Sequence, residues 1–105
     1  LVPKHVEQSP YPAIERDLNL IVDESVRWAD LAATVEGSAG ECLESLSYQE
    51  TYRDAKKDGA GKKRMLFSIT LRSGQRTLTN EEADQIRQQV VDACHQQHQA
   101  VLLGG

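Results

Sequence analysis

The sequence contains few cysteines, few aromatic residues and no long apolar segment. Its 105 residues include two cysteines, Cys42 and Cys94, too few for the disulfide framework of a small secreted domain. No apolar run approaches the roughly 20 residues that cross a bilayer, and no signal-peptide pattern opens the chain. These absences weigh against secreted and membrane proteins, and we expect a cytoplasmic domain that does not contact a membrane.

Side-chain combinations typical of catalysis or metal binding are also scarce. The segment from Asp23 to Val26 is acidic and has no glycine, so it would repel the phosphate group that an acylphosphatase loop binds. Cys94 and His98 have a metal-ligand spacing, but two further ligands are missing, and Cys94 falls on an apolar helix face as a buried thiol would. We therefore expect a domain that is non-catalytic alone, with no cofactor and no metal of its own.

The chain lacks the overall positive charge of a protein that coats nucleic acid, since its net charge is −4. The charge is unevenly distributed, however. Residues 53–64 have six basic and two acidic side chains, a local balance of +4. Such a patch suits contact with one localised polyanion, although a solvated loop has the same composition. Its basic residues are Arg53, Lys56, Lys57, Lys62, Lys63 and Arg64.

The apolar pattern predicts one folded domain over residues 13–105. Residues 1–12 contain Pro3, Pro10 and Pro12 and lack an apolar period, which is typical of an extended connector. Because the first residue is leucine, we expect the chain to be a piece of a longer protein. The connector would then arrive from an upstream domain.

Beyond the connector, apolar spacings predict six elements in the order β-α-β-β-α-β. This order defines an α+β, ferredoxin-like fold, in which a four-stranded antiparallel sheet has both helices on one face and leaves the second face open. The expected elements are a strand from Ile14 to the turn at Asp23, a helix that contains Trp28 and stops at Gly37 and Gly40, strands over residues 41–52 and 63–72 around a long loop, a helix over residues 80–97 and a short strand over residues 100–103.

The pattern also predicts which side chains enter the core. Trp28 lies on the apolar stripe of the first helix, so we interpret it as a core anchor. Leu46 and Tyr48 are expected to face inward from the second strand. Thr79 and Glu82 match the T-x-x-E capping box that begins a helix. The core face of the third strand is expected to hold Met65, Phe67, Ile69 and Leu71.

Tyr52 is the remaining candidate for nucleic-acid contact. It ends the second predicted strand directly before the basic loop, and Arg64 begins the strand opposite. An aromatic plane between Arg53 and Arg64 is suited to stack one base while the cations hold neighbouring phosphates, but a tyrosine packed over the sheet edge fits the pattern equally well. An RNA recognition motif is a poor match, because aromatic residues make up 5% of the chain and Phe67 faces the core.

Four segments match one known family in their order and separation. They are Tyr11 to Leu18, Tyr52-Arg53, Gly61-Lys62-Lys63 before an apolar strand, and Arg76 to Glu82 with its capping box. With this combination, the sequence from about Tyr11 to Leu103 resembles the C-terminal, ferredoxin-fold anticodon-binding domain of bacterial phenylalanyl-tRNA synthetase β subunits.

The resemblance implies a role for each residue of the tyrosine site. Tyr52 would stack on the first anticodon base, a guanine, and Glu50, where the family has an aspartate, would approach the edge of that base. Arg64 stands where the family has a serine that completes the recognition. The stacking position is thus kept, while both polar positions differ. The expected RNA-binding residues are Tyr52, Glu50, Arg53, Arg64, Lys62, Lys63, Lys56 and Lys57.

The resemblance also implies partners. The domain would hold the anticodon loop of tRNA(Phe) inside a heterotetramer formed with the rest of the β subunit and with the α subunit. ATP, magnesium and phenylalanine would act elsewhere in that enzyme, with aminoacylation on the α subunit. The alternative is a small-molecule-sensing regulatory module of the same topology, which usually places its ligand at a glycine-bearing loop after the first strand. The glycine-free segment from Asp23 to Val26 counts against it.

Overall fold

The computed structural model describes residues 9–104, and its four strands form one antiparallel sheet. The expected β-α-β-β-α-β order is confirmed, with a single helical turn added inside the loop between the second and third strands. The strands lie in the spatial order β2-β3-β1-β4. The elements are β1 (Ile14–Asp23), α1 (Trp28–Ala39), β2 (Leu43–Tyr52), α2 (Ala55–Asp58), β3 (Lys62–Leu71), α3 (Asn80–His98) and β4 (Val101–Leu102).

Residues 1–8 of the expected connector lie outside the described residues. Its described part, residues 9–12, is tied to the segment that follows β3. The Ser9 hydroxyl donates to the carbonyl of Ser73 at 2.9 Å, and Arg72 Nη1 donates to the carbonyl of Tyr11 at 2.6 Å. Contacts with the domain therefore begin a few residues before the predicted boundary at residue 13.

The two central strands, β1 and β3, supply the sheet side of the core. Their side chains on the face toward α1 and α3 are buried, and the expected core positions of β3 are confirmed. Each buried Leu, Ile, Val or Phe side chain stabilises the fold by about 1.5–3 kcal/mol relative to an exposed one. Cys94 is also buried, and desolvation raises the pKa of its thiol to about 11. The buried hydrophobic residues are Leu18, Leu20, Val22, Leu31, Val35, Ala39, Met65, Phe67, Ile69, Leu71, Leu78, Ala83, Val90, Val91, Cys94 and Ala100.

The first helix ends later than the sequence pattern predicts. Gly37 was expected to stop it, but α1 continues to Ala39, and Gly40 follows with a φ of 87°. A glycine inside a helix costs about 1 kcal/mol relative to alanine. Burial of Val35 and Ala39 on the same helix face offsets that cost, so the prediction for Gly37 was wrong and that for Gly40 was right.

A β-bulge in β2 decides which side chains reach the open face of the sheet. Tyr48 pairs with Phe67, whereas Glu50 pairs with Leu66, so Gln49 is the extra residue between them. Without that residue, strict alternation would place Tyr48, Glu50 and Tyr52 on one face. With it, Tyr48 turns toward the helices while Glu50 and Tyr52 face the open side.

The bulge leaves Tyr48 beside the tryptophan of α1. The ring centroids of Trp28 and Tyr48 are 5.2 Å apart, and those of Trp28 and Phe67 are 5.3 Å apart. Trp28 thus packs against the core as predicted. Tyr48 faces the helices as expected, but it stays 45% exposed because β2 is the outermost strand of the sheet.

The predicted capping box at the start of α3 is confirmed. The Thr79 hydroxyl accepts a hydrogen bond from the backbone N–H of Glu82 at 3.0 Å, and Glu82 Oε1 accepts one from the backbone N–H of Thr79 at 2.9 Å. Arg76 Nη1 donates to the same carboxylate oxygen at 2.7 Å. The hydrogen bond from Arg76 and then that from Thr79 lower the pKa of Glu82 to about 2.

This lowered pKa predicts an acid-sensitive helix start. The usual pKa of a glutamate is 4.5 and that of Glu82 is about 2, so the folded state binds fewer protons than the unfolded state between those values. The stabilisation is present above about pH 4.5 and is lost as the pH falls through about 2. Urea denaturation across this window should show a shallower fall in unfolding free energy for Glu82→Gln than for the unmodified domain. Parallel profiles would contradict the account.

Candidate nucleic-acid interface

The residues expected to bind RNA meet at one end of the sheet. β2 ends there at Tyr52 and β3 begins there at Lys62. The turn after β1 lies beside them, because β1 runs antiparallel to β3 and Asp23 pairs with Lys62. We call the segment over residues 52–64, together with the turn over residues 23–26, the basic end of the sheet.

Tyr52 lies on the open face of the sheet and is 47% exposed. It is the cross-strand partner of Arg64, so the two side chains share a face. The Arg64 guanidinium carbon is 5.3 Å from the centroid of the tyrosine ring, within the range of a cation–π interaction. Arg64 therefore lies over one side of the ring, and about half of the tyrosine surface is open to solvent.

Arg64 also belongs to an ion-pair network with the loop between β2 and β3. Its Nε and Nη2 donate to the Asp58 carboxylate at 2.6 and 3.0 Å, and Nη2 is 4.0 Å from an Asp54 oxygen. The Arg64 side chain is 14% exposed and that of Asp58 is 4% exposed. Their hydrogen bonds raise the pKa of Arg64 and lower that of Asp58. The guanidinium expected to hold a phosphate thus already has a carboxylate partner.

Glu24, from the turn after β1, holds two more of the expected phosphate-binding residues. Arg53 donates to both of its carboxylate oxygens at 2.7 Å, and Lys63 Nζ lies 3.7 Å from one of them. The hydrogen bond from Arg53 is the main reason that the pKa of Glu24 is lowered. The Lys63 side chain is 11% exposed. Arg53 and Lys63 are therefore less available to an incoming phosphate than their sequence positions indicate.

Three lysines at the basic end are exposed, and none of the ion pairs within residues 9–104 includes them. Lys56 and Lys57 lie on α2, and Lys62 is the first residue of β3. The Asp54 carboxylate caps α2 by accepting from the backbone N–H of Lys57 at 3.1 Å. The cap fixes the turn that presents two of these lysines to solvent.

Glu50 is exposed on the same open face as Tyr52, two residues earlier in β2. Residues two apart on a strand are separated by about 7 Å. Side chains spaced in this way on one face are neighbours, so the Glu50 side chain is placed to approach the edge of a base stacked on the Tyr52 ring. This placement depends on the bulge at Gln49, which the alternation of apolar residues did not reveal.

Glu24 is a site residue that the sequence pattern did not predict. The predicted strand pairing could have revealed Glu24. In an antiparallel pair the end of β1 lies beside the start of β3, and therefore beside the basic loop. The same turn has its own internal hydrogen bonds, in which Asp23 Oδ2 accepts from the backbone N–H of Ser25 at 3.0 Å and from its hydroxyl at 2.6 Å. The carboxylates of Asp23 and Glu24 therefore both accept hydrogen bonds from other residues of the domain.

The spacing of Cys94 and His98 does not produce a metal cluster in the described part of the chain, where no three His, Cys, Asp or Glu side chains are placed to hold an ion. His98 Nε2 instead lies 2.9 Å from the hydroxyl of Thr34. In the same residues, no helix is both long enough and apolar enough to span a bilayer.

The fold and the site together define an α+β domain of ferredoxin-like topology with a candidate nucleic-acid interface at one end of its open face. Residues 9–103 match the family model for the ferredoxin-fold anticodon binding domain. The chain belongs to this family, which confirms the resemblance seen in the sequence and does not favour the small-molecule-sensing alternative.

Curated relatives are similar over most of the chain. It is 50% identical over 103 residues to the phenylalanine–tRNA ligase β subunit of Rhodopirellula baltica, a match that covers 98% of this chain and 15% of that protein. It is 36% identical over 96 residues to the protein of the same name in Corynebacterium glutamicum, covering 91% of this chain and 11% of the relative. The corresponding protein of Thermobifida fusca is 38% identical over 96 residues, with the same coverage of 91% and 11%. The chain thus spans no more than 15% of the length of these relatives.

Proposed function

We propose that this domain binds the anticodon loop of tRNA(Phe) as part of a phenylalanine–tRNA ligase β subunit. The relatives that bear this name, together with the family match, support the assignment. The structural observation that carries the binding mode is the position of Tyr52. Its ring is half exposed on the open face, at the end of the sheet that presents three exposed lysines.

Base recognition begins with stacking. An aromatic plane open on one side accepts any base, and such a contact contributes about 1–3 kcal/mol per base. Glu50 then adds selectivity, because a carboxylate accepts hydrogen bonds from the N–H groups of a base edge and repels an edge that presents only acceptors. A guanine presents N–H donors on its Watson–Crick edge, so Glu50 beside Tyr52 suits guanine at the first anticodon position.

Lys56, Lys57 and Lys62 supply the backbone contacts. These lysines are exposed at the same end of the sheet as the tyrosine, where they would contact phosphates that flank a stacked base. Arg53 and Lys63 contribute mainly by orienting the turn at Glu24. Lysine contacts hold the RNA without reading its sequence. The site thus separates selectivity, through Tyr52 and Glu50, from affinity for the backbone.

In the complete enzyme this domain would position the tRNA while other parts carry out the reaction. ATP, magnesium and phenylalanine would bind on the catalytic α subunit, and two α and two β subunits would form the heterotetramer. The enzyme would work in the cytoplasm. The domain itself would contribute binding energy at the anticodon and no catalytic group.

The phosphate contacts predict a salt-dependent affinity. With two or three contacts, the slope of log K against log salt for an anticodon stem-loop of tRNA(Phe) should be about −1.4 to −2.1. Replacing Lys56, Lys57 and Lys62 together by glutamine should bring the slope close to zero and weaken stem-loops of any sequence alike. Fluorescence anisotropy titrations over a range of salt concentrations would measure both quantities.

Lys63→Gln is the matched control for the triple variant. Because Lys63 is buried beside Glu24, its replacement should leave the slope nearly unchanged. A salt-independent affinity in the unmodified domain would contradict the proposal that this loop binds phosphates. An equal loss of slope in Lys63→Gln and in the triple variant would show that the exposed lysines have been assigned wrongly.

A further inference from the structure

We infer that Arg64 is a positioning residue, held by Asp58 against one side of the Tyr52 ring, and not a phosphate ligand. This inference deepens the proposed function and rests on it, because the positioned group is the base-stacking ring. It concerns a residue whose charge and place in the sequence indicate a direct contact with RNA.

Two of the three guanidinium nitrogens of Arg64 donate to the protein. Nε and Nη2 form a two-bond fork with both oxygens of Asp58, at 2.6 and 3.0 Å. This bidentate geometry is the strong form of an arginine–carboxylate contact. The Asp58 side chain is 4% exposed, so moving Arg64 toward a phosphate would leave a nearly buried carboxylate without its partner. Such a loss is unfavourable.

The local charge also disfavours a phosphate at Arg64. Asp58 contacts the guanidinium, and an Asp54 oxygen lies 4.0 Å from Nη2. Two carboxylates therefore lie beside one cation, and the net charge of these three groups is negative. A phosphate approaching this point would meet repulsion, whereas none of the ion pairs within residues 9–104 includes the three exposed lysines nearby.

The contact with Tyr52 gives this network its effect on the binding site. The guanidinium carbon lies 5.3 Å from the ring centroid, and the cross-strand pairing of the two residues fixes their spacing. A ring held on one side by a cation loses less freedom when a base stacks on the other side. Arg64 therefore preorganises the ring, which raises affinity by lowering the entropic cost of binding.

The same network fixes the lysine-bearing loop relative to the ring. Asp54 caps α2, Asp58 is its last residue, and both carboxylates face Arg64. Arg64 thus joins the ring, the cap and the end of α2 in one unit. Loss of the contact between Arg64 and Asp58 would release the ring, while the hydrogen bond from the backbone N–H of Lys57 to Asp54 would still hold the turn that presents Lys56 and Lys57.

Salt titrations of Asp58→Asn and Arg64→Met, with the tRNA(Phe) anticodon stem-loop as the probe, separate a positioning role from a phosphate contact. For a positioning residue, each variant should weaken binding by about 3- to 10-fold with an unchanged slope. For a phosphate ligand, Arg64→Met should make the slope shallower by about 0.7, and Asp58→Asn, which releases the cation, should tighten binding and steepen the slope. The second pattern would overturn the inference.

A double-mutant cycle with Tyr52→Ala tests whether Arg64 acts through the ring. In the Tyr52→Ala background, Asp58→Asn should change the affinity by less than about 2-fold, because the ring to be positioned is gone. An undiminished effect in that background would overturn the inference. If Arg64→Met does not fold, the test rests on Asp58→Asn, which keeps the shape of the side chain. Its effect on affinity, with and without the Tyr52 ring, then distinguishes the two roles of Arg64.

A measurement on the free domain keeps this inference separate from the proposed function. The Nε–H proton of Arg64, bonded to Asp58 in the unmodified domain, should give a resolved NMR signal with slowed hydrogen exchange, and Asp58→Ala, which removes both acceptor oxygens, should abolish that protection. A fast-exchanging Nε–H in the unmodified domain would refute the positioning role whatever RNA does. If the stem-loop does not bind while the signal is protected, the proposed function fails, and with it the role of Arg64 in RNA binding.

Discussion

Replacing Phe67 by alanine is expected to lower the free energy of unfolding by about 3–5 kcal/mol, the range for a buried phenylalanine. Phe67 is fully buried at the centre of the sheet face that packs on the helices. Its ring contacts Trp28, with centroids 5.3 Å apart. The truncation therefore removes apolar burial and leaves a cavity between the strand and α1 that the surrounding side chains fill only in part.

Leu66→Ala is the matched control, because Leu66 is the neighbouring residue on the opposite, partly exposed face of β3. It should cost clearly less than Phe67→Ala in chemical denaturation. Thr79→Ala, which removes the α3 cap, should cost about 1 kcal/mol. If either control lost more stability than Phe67→Ala, the assignment of the buried face of β3 would be wrong.

Tyr52→Ala is expected to weaken binding of the anticodon stem-loop by about 1–3 kcal/mol, while Tyr52→Phe should keep most of the affinity. The ring contributes a flat surface, which phenylalanine preserves and alanine does not. Tyr52 is 47% exposed, so removal of its hydroxyl leaves no buried group unsatisfied.

Folding should be nearly unaffected by the same replacement. Tyr52 is 47% exposed and lies outside the buried cluster of the core. Its ring lies beside Arg64, whose position is fixed mainly by Asp58. Loss of the ring therefore exposes the guanidinium to water without opening a cavity.

The fold could be predicted from the sequence because local and long-range preferences agree. In β3, the alternation of apolar residues places one set of side chains on the face that packs against the helices. The residues of that set are Met65, Phe67, Ile69 and Leu71, and all four are buried. The capping box at Thr79 depends on residues three apart, so it too is visible in the sequence. Gly37 was misread because packing of α1 outweighs the local preference of one glycine.

The arrangement of the site was less predictable because it depends on pairings that spacing does not specify. The chain positions of Tyr52, Glu50 and the basic residues were visible, but the bulge at Gln49 that turns Glu50 and Tyr52 to the open face was not. The ion pairs of the site were also not predictable from the sequence pattern. Glu24 lies 29 residues from Arg53 in sequence, and the pairing of Arg64 with Asp58 depends on the turn formed by α2.

In the proposed binding mode the exposed ring of Tyr52 stacks on an anticodon base, and stem-loop affinity measured beside thermal unfolding tests this role. Both quantities should be measured for the unmodified domain, Tyr52→Phe and Tyr52→Ala. The Tyr52→Ala domain should lose about 1–3 kcal/mol of affinity and unfold at nearly the same temperature as the other two. A Tyr52→Ala domain that binds the stem-loop unchanged but loses several kcal/mol of stability would contradict the account, because Tyr52 would then be a packing residue.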